Sequence, residues 1–162
     1  HRPSNVDEPE ILTGILEALS EIQKHIKIVF PIHPRTRKNI SLRNSNILTD
    51  SNLILTEPLG YLDFLKLMSY SKFVMTDSGG IQEETTLLKV PCLTLRDTTE
   101  RPITIEQGTN TLVGSKKEKI IEEALKLLNG KIINSRLPDL WDGKAAERIV
   151  EILINNKGYG KS

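Results

Sequence analysis

Thr76-Asp77-Ser78-Gly79-Gly80-Ile81-Gln82-Glu83-Glu84 carries the densest chemistry in the chain. The apolar run Phe73-Val74-Met75 precedes it and a helical pattern follows, the layout of a strand entering a helix N-terminus. Unsatisfied N–H groups and the positive end of the helix dipole make such a terminus a seat for an anion. Gly79 and Gly80 let a phosphate approach the backbone closely, and Ser78 adds a hydroxyl donor. Glu84 falls one turn into the helix, with acceptor oxygens suited to the two hydroxyls of a ribose. The stretch reads as a seat for a nucleoside diphosphate. The same residues also build a strand-to-helix turn with no ligand, and a motif this short does not separate the two.

Other reactive side chains are scattered. Arg101, in the polar loop Arg96-Asp97-Thr98-Thr99-Glu100-Arg101-Pro102, can give a charge-assisted contact to phosphate or sugar, or pair with Asp97 or Glu100. Phe64 follows the Glu57-Pro58-Leu59-Gly60 loop, where a ring can meet a flat base or simply join the core. His1, beside Arg2, can serve as an acid or phosphate partner near neutral pH, or lie solvated at the terminus. His33 is a cleft residue or a turn residue before Pro34. The three histidines and the lone cysteine show no metal-ligand spacing, so no metal is expected. No Walker-type loop and no Gly-x-Gly-x-x-Gly after a strand is present, which argues against ATP and dinucleotides; no cofactor is expected.

Bulk properties narrow the class. A chain of 162 residues, 38% hydrophobic and 27% charged, fits one globular domain spanning 1–162. A net charge of +1 and 4% aromatic content speak against nucleic acid and anionic membranes as partners. No apolar run reaches the roughly 18 residues of a membrane span. Cys92, inside Val90-Pro91-Cys92-Leu93, reads as a buried strand residue in a reducing, cytoplasmic setting. No signal peptide and no initiator Met precede His1-Arg2-Pro3, so a fragment, a processed product or an excised domain is expected.

Strands and helices alternate along the chain. Asp7 is placed to cap a helix that carries Ile11, Leu12, Ile15, Leu16, Leu19 and Ile22 to about His25. Strands are expected over 27–32, 53–56, 73–76, 90–95 and 110–113, and further helices after His33, over 61–69, 80–88 and 102–107. Residues 44–46 and 49–52 have loop composition, and 157–162 form a polar tail. Ser115 and Glu118 form a capping-box pattern for a helix ending at Asn129-Gly130. A last helix after Gly143 repeats Ala146, Ile149, Val150 and Leu153 on one face. This alternation predicts an α/β fold: a Rossmann-like parallel sheet with helices on both faces. His33, Glu57, Ser78 and Arg96 to Arg101 each follow a strand, so they share the carboxyl edge where such sheets bind ligands.

Taken together, the motifs resemble the non-hydrolysing UDP-N-acetylglucosamine 2-epimerases. The matching pieces are His1-Arg2 with Asn5-Val6-Asp7, Phe30 to Thr36, Glu57 to Phe64, Thr76 to Glu84, Arg96 to Pro102 and Asp142 to Ile149, in order along nearly the whole chain. The resemblance implies the C-terminal half of a two-domain GT-B-type isomerase that interconverts UDP-GlcNAc and UDP-ManNAc by elimination and re-addition of UDP. It implies diphosphate contacts from Ser78, Gly79 and Gly80, ribose contact from Glu84, and uracil contact from Phe64 and the backbone near Leu59. It places Arg101 at the phosphate or sugar and His1 in the active site. Arg2 and His33 fall where some bacterial members hold a second, regulatory UDP-sugar. The C2-directed carboxylates, and an apolar strand just before His1, would belong to the missing polypeptide. The isolated half is then expected to bind UDP weakly without turnover, and the full-length protein to be a homodimer. Two alternatives stay open. One is a GT-B glycosyltransferase using a UDP-sugar donor, against which the Arg-Asp-Thr-Thr-Glu-Arg-Pro block counts. The other is a stand-alone nucleotide-binding or interaction module.

Overall fold

The apolar repeat from Ile11 to Ile22 winds as one helix because its spacing puts every large side chain on a broad stripe. This helix, α2 (Pro9–Ile22), follows a short α1 (Pro3–Val6). The computed structural model describes residues 2–41 and 52–155. The remaining elements are β1 (Ile28–Pro31), α3 (Pro34–Ser41), β2 (Leu53–Thr56), α4 (Tyr61–Ser69), β3 (Val74–Thr76), α5 (Gly79–Leu88), β4 (Cys92–Thr94), α6 (Ile103–Glu106), β5 (Asn110–Leu112), α7 (Lys117–Leu128) and α8 (Ala145–Asn155). Of the stretches expected as loop at 44–46 and 49–52, only Asn52 is among the described residues, in a turn, and the tail at 157–162 lies outside them.

All strand pairings are parallel, as the alternation requires. The single expected sheet is, however, two: β1 with β2, and β3–β4–β5. The register runs Ile28 to Leu53 in the first, Val74 to Cys92 and Cys92 to Asn110 in the second. β1 and β3 face each other across a gap and do not pair. Helix α2 bridges them. Its Ile15, Ala18 and Ile22 join Leu93, Val113, Ile120, Ala124 and Leu127, and its Leu12, Leu16 and Leu19 join Ile32 and Ile40. α5 packs over β3, β4 and β5, so helices cover both faces.

Four local expectations are corrected. Glu8, not Asp7, precedes the first turn of α2, and Asp7 instead pairs with Arg35. Ser115 and Glu118 form no capping box; α7 starts after Lys116, with no side-chain cap, and Lys117 reaches Glu17 on α2 at 2.9 Å. Helical spacing puts Leu62, Leu65 and Met68 on one face of α4, yet Leu62 is exposed, because α4 turns only Met68 fully inward. No residue of α8 is buried, and Ile149, Val150 and Leu153 are exposed, since no described element packs on that stripe.

Behind the Ser78 turn lies a buried polar network. Gln82 is fully buried. Its Oε1 accepts hydrogen bonds from Thr99 Oγ1 (2.6 Å) and Asn110 Nδ2 (3.0 Å), and its Nε2 donates to the Ser78 carbonyl (3.2 Å). Asn110 Oδ1 accepts from Thr94 Oγ1 at 2.6 Å. One glutamine thus ties the turn, the 96–101 loop and β4–β5 together. Gly108 lets the next loop close on α5: a Cβ there would lie 2.4 Å from Thr86 Oγ1 and 2.6 Å from the Thr104 carbonyl oxygen.

Glu123 plays a comparable part on α7. Its buried carboxylate accepts from Lys126 (2.9 Å), Lys131 (2.8 Å) and Lys119 (2.9 Å). Those three bonds hold its carboxyl down at about 2, from an ordinary 4.5. A depressed folded-state value means the stabilisation is complete above the unfolded value and is lost as pH falls toward the folded one. Stability should therefore fall between pH 4.5 and about 2, and Glu123→Gln should be less stable at neutral pH with a shallower acid limb. Thermal melts from pH 2 to 7 check this; superimposable acid limbs would refute it. In the same melts Gln82→Leu should destabilise by about 2–3 kcal/mol, because it strands the Thr99 and Asn110 donors in the core. A loss below about 1 kcal/mol would mean that the network contributes little.

Candidate functional site

The carboxyl edge is assembled by the first turn of the chain. The Arg2 N–H donates to the Asp77 carboxylate (2.8 Å) and Arg2 Nε to the Asp77 carbonyl (3.1 Å). Asn5 Nδ2 donates to the Leu95 carbonyl at 2.9 Å, just past β4. In the other direction, Asn39 Nδ2 donates to the Val6 carbonyl (2.8 Å) and Arg35 Nε to Asp7 (3.0 Å). Residues 2–7 therefore clamp the ends of β3 and β4 to the start of α3. His33, Ser78 and the 96–101 loop fall along one rim.

Ser78 is the N-cap of α5, in extended geometry, and its hydroxyl makes no capping bond. Its N–H donates to Thr76 Oγ1 at 3.1 Å. The N–H groups of Gly79, Gly80 and Ile81 open the helix and meet no acceptor among the described residues. Nothing lies within 4 Å of where a Gly80 Cβ would stand, and only Glu100 Oε2, at 4.0 Å, comes near one on Gly79. The protein's own packing does not require glycine at either position. A ligand seated on the backbone would.

Glu84 lies on the same face as Gly80, one turn on, and side chains on a helix lean back toward its N-terminus. It is half-buried, and its carboxylate has no hydrogen-bond or ion-pair partner among the described residues. Burial, and then the neighbouring Glu83 charge, raise its carboxyl above the usual carboxylate value.

Arginines ring the seat. Arg96 forks onto Glu100 (2.8 and 2.7 Å) and holds the Glu100 carboxyl down at about 2. Arg101 pairs with Glu83 at 2.8 Å, and not with Asp97 or Glu100 as its position in the loop suggests. The reason is geometric: Arg96 already occupies Glu100, and α5 brings Glu83 to the loop. Arg101 is half exposed, and an exposed pair is worth little, so an arriving phosphate can take the guanidinium at small cost. Arg2 Nη2 lies 3.9 Å from Glu100, on the α5 side of the rim.

A cavity of about 570 Å³ opens between β1 and β3 and brings together Ser78, Phe64 and His33. Phe64 is half-buried in its wall. Leu59 is exposed and, like Gly79, Gly80, Glu84 and Arg101, stands outside that wall. His33 Nδ1 accepts the Arg35 N–H at 3.2 Å, at the start of α3. His1 lies outside the described residues. Cys92 is fully buried and burial pushes its thiol up to about 11, so it is an inert strand residue. Among the described residues no group of acidic, histidine or cysteine side chains can hold a metal, and no helix is long and apolar enough to cross a membrane.

Sequence reasoning missed Gln82, Thr99 and Asn110, which fix the turn from behind, and Asn5, which fixes the rim. The available signal was a polar residue on the inward face of an element, as Gln82 is on α5.

Known proteins share this fold. The family model of UDP-N-acetylglucosamine 2-epimerase matches residues 1–154. The UDP-N-acetylglucosamine 2-epimerase of Methanocaldococcus jannaschii is 46% identical over 165 residues, which cover 99% of this chain and 43% of that protein. Its crystal structure in complex with UDP-GlcNAc and UDP superposes with a TM-score of 0.84, covering 96% of this chain and 43% of that one. The UDP-2,3-diacetamido-2,3-dideoxy-D-glucuronate 2-epimerase of Pseudomonas aeruginosa is 40% identical over 154 residues, 94% of this chain and 42% of that protein. The chain spans less than half the length of these relatives. Its α/β architecture is that of the GT-B-type epimerase structures. By match, identity and fold, the chain belongs to the UDP-N-acetylglucosamine 2-epimerase family.

Proposed function

We propose that this chain is the UDP-binding C-terminal half of an isomerase that interconverts UDP-GlcNAc and UDP-ManNAc. The observation that carries the reading is the pairing of an open anion seat with an unpartnered acid. Unengaged N–H groups of Gly79, Gly80 and Ile81 and the free Ser78 hydroxyl stand at one end of α5, and the half-buried Glu84 stands a turn away. Four residues of helix rise by about 6 Å, comparable to the reach from a diphosphate to the ribose hydroxyls. The diphosphate sits on the N–H groups and Ser78, Arg101 leaves Glu83 for phosphate or sugar, and Glu84 accepts from the ribose. The uracil lies by Leu59 and Phe64. His1 acts beside the diphosphate, and Arg2 and His33 border a second, regulatory UDP-sugar.

In this reading UDP leaves C1 as the C2 proton is removed, giving a 2-acetamidoglucal. Re-addition follows reprotonation on the other face. The rim's part is to stabilise charge developing on the departing diphosphate with donors fixed before the reaction begins. The Gln82 network and the Arg2–Asp77 clamp supply that fixity. The acid and base for C2 reside in the remaining half, so this chain alone should not turn over. α8 offers its exposed apolar stripe to that half. The full protein is a cytoplasmic homodimer. The P. aeruginosa relative is named for a different UDP-sugar, so the sugar itself is chosen outside the seat described here.

Calorimetric titration with UDP tests the seat. The chain should bind one UDP, and Glu84→Gln should weaken binding at least about tenfold, the loss of a charged hydrogen bond. No binding by folded wild-type chain would overturn the reading. A second outcome follows from the raised Glu84 value. A raised folded-state carboxyl costs stability as pH rises through it, so Glu84→Gln should melt no lower than wild type at pH 7 without UDP. A clear drop in its melting temperature would instead give Glu84 a structural role.

A further inference from the structure

Arg101 carries its charge on a main chain that is held from both sides. Its N–H donates to Thr99 Oγ1 (3.0 Å) and its carbonyl accepts from Thr104 Oγ1 (2.7 Å). Both hydroxyls are engaged in turn. Thr99 Oγ1 donates to Gln82 Oε1 at 2.6 Å, and Thr104 Oγ1 accepts from Asn110 Nδ2 at 3.2 Å. Gln82, Thr104 and Asn110 are buried. Each hydroxyl thus has one acceptor for its proton and one donor for its oxygen, so the bonds cannot reverse. The freedom left to Arg101 is that of its side chain.

That side chain lies over the open end of α5. Its Nε stands 2.8 Å from Glu83 Oε1, and its Nη1 donates to the Glu100 carbonyl at 3.3 Å. Glu83 follows Gly79 by one helical turn on the same face, and helix side chains lean back toward the N-terminus. The adjacent loop residue overhangs the same spot: Glu100 Oε2 comes within 4.0 Å of where a Gly79 Cβ would stand. The guanidinium therefore waits within a turn of the unengaged N–H groups of Gly79 and Gly80. Arg96 is placed differently. Glu100 grips it through both nitrogens, at 2.8 and 2.7 Å, and its side chain is largely covered. Arg101 and Glu83 are each half exposed, and one nitrogen makes their contact. A guanidinium on a fixed main chain cannot serve a carboxylate on α5 and an anion at the helix end in full at once.

We propose, resting on the reading of the rim as a UDP seat, that Glu83 is an acidic latch on that seat: it holds Arg101 on α5 while the seat is empty and competes with the terminal phosphate of the nucleotide for the same guanidinium. Its effect is to weaken nucleotide binding. A phosphate that takes Arg101 leaves the Glu83 carboxylate without that charge, next to Glu84, whose carboxyl it already pushes up. Both consequences oppose the bound state. A latch of this kind favours exchange over retention, because the nucleotide leaves as Arg101 returns to Glu83.

Calorimetric titration with UDP tests the latch on wild type, Glu83→Gln, Arg101→Met and the double variant, a cycle that isolates the pair. Glu83→Gln should bind UDP roughly two- to fivefold more tightly, the worth of a half-exposed ion pair. Arg101→Met should bind it more weakly, and with Arg101 gone the Glu83 substitution should change little. Melting curves show that each variant is folded. Weaker binding by Glu83→Gln would make Glu83 a support that presents Arg101 to the ligand. Equal tightening with and without Arg101 would make it one more negative charge near the phosphates. Either result overturns the latch, as does unchanged affinity of folded Glu83→Gln beside a wild type that binds. Failure of the UDP reading looks different: none of the four folded chains binds UDP, and the latch falls with it.

Discussion

Everything at the rim depends on α2 being buried on two sides at once. One stripe of the helix packs on the β3–β5 sheet and α7, the other on β1 and α3. No hydrogen bond joins β1 to β3, so this side-chain packing, and the α1 clamp above it, keep the two sheets in one frame. Six apolar residues of α2 are buried, and at about 1.5–3 kcal/mol for each large side chain that burial outweighs any single polar contact at the rim. The register of the seat is thus a consequence of hydrophobic packing well below it, and the polar clamp merely selects the final geometry.

The rim keeps groups that the rest of the chain does not engage. Three helix N–H groups meet no acceptor among the described residues, the Ser78 hydroxyl makes no capping bond, and burial raises the Glu84 carboxyl, which costs stability at neutral pH. The molecule spends none of its nearby charges on them. Arg96 is held bidentately by Glu100, whereas Arg101 pairs with Glu83 in a half-exposed pair from which it can be drawn at low cost. Behind them stands well-satisfied structure: Gln82, itself fully buried, makes bonds to Ser78, Thr99 and Asn110.

The legible part of this protein was what short range dictates. The strand Leu53–Thr56 and the helix Tyr61–Ser69 fall where apolar spacing and the Pro58–Gly60 turn place them, and Ser78 opens α5 as the glycine turn requires. The misread parts were set from a distance. Arg101 met Glu83 because a loop and a helix converge, and α7 starts after Lys116, where the packing of its apolar face on α2 and β4 sets it, one residue past the expected Ser115 cap. Periodicity marked the α8 stripe as core without being able to say whose core. Helical spacing records that a face is to be buried; it does not record the partner.

α8 and the gap beside β1 pose the same physical problem in two forms, apolar side chains and backbone edges prepared for burial and left open. They bear unequally on the site. The turn of Ser78, Gly79 and Gly80, with the 96–101 loop, stands on β3–β5, a three-stranded sheet with the larger apolar cluster beneath it. Leu59 and Phe64 follow β2 in the chain; Phe64 is part of the wall of the gap, and its helix α4 packs on α5. A pair of strands is marginal alone, whereas three with a packed face are self-supporting. The Ser78 turn therefore stands on structure that supports itself within the described residues, and it is fixed before anything arrives at the rim.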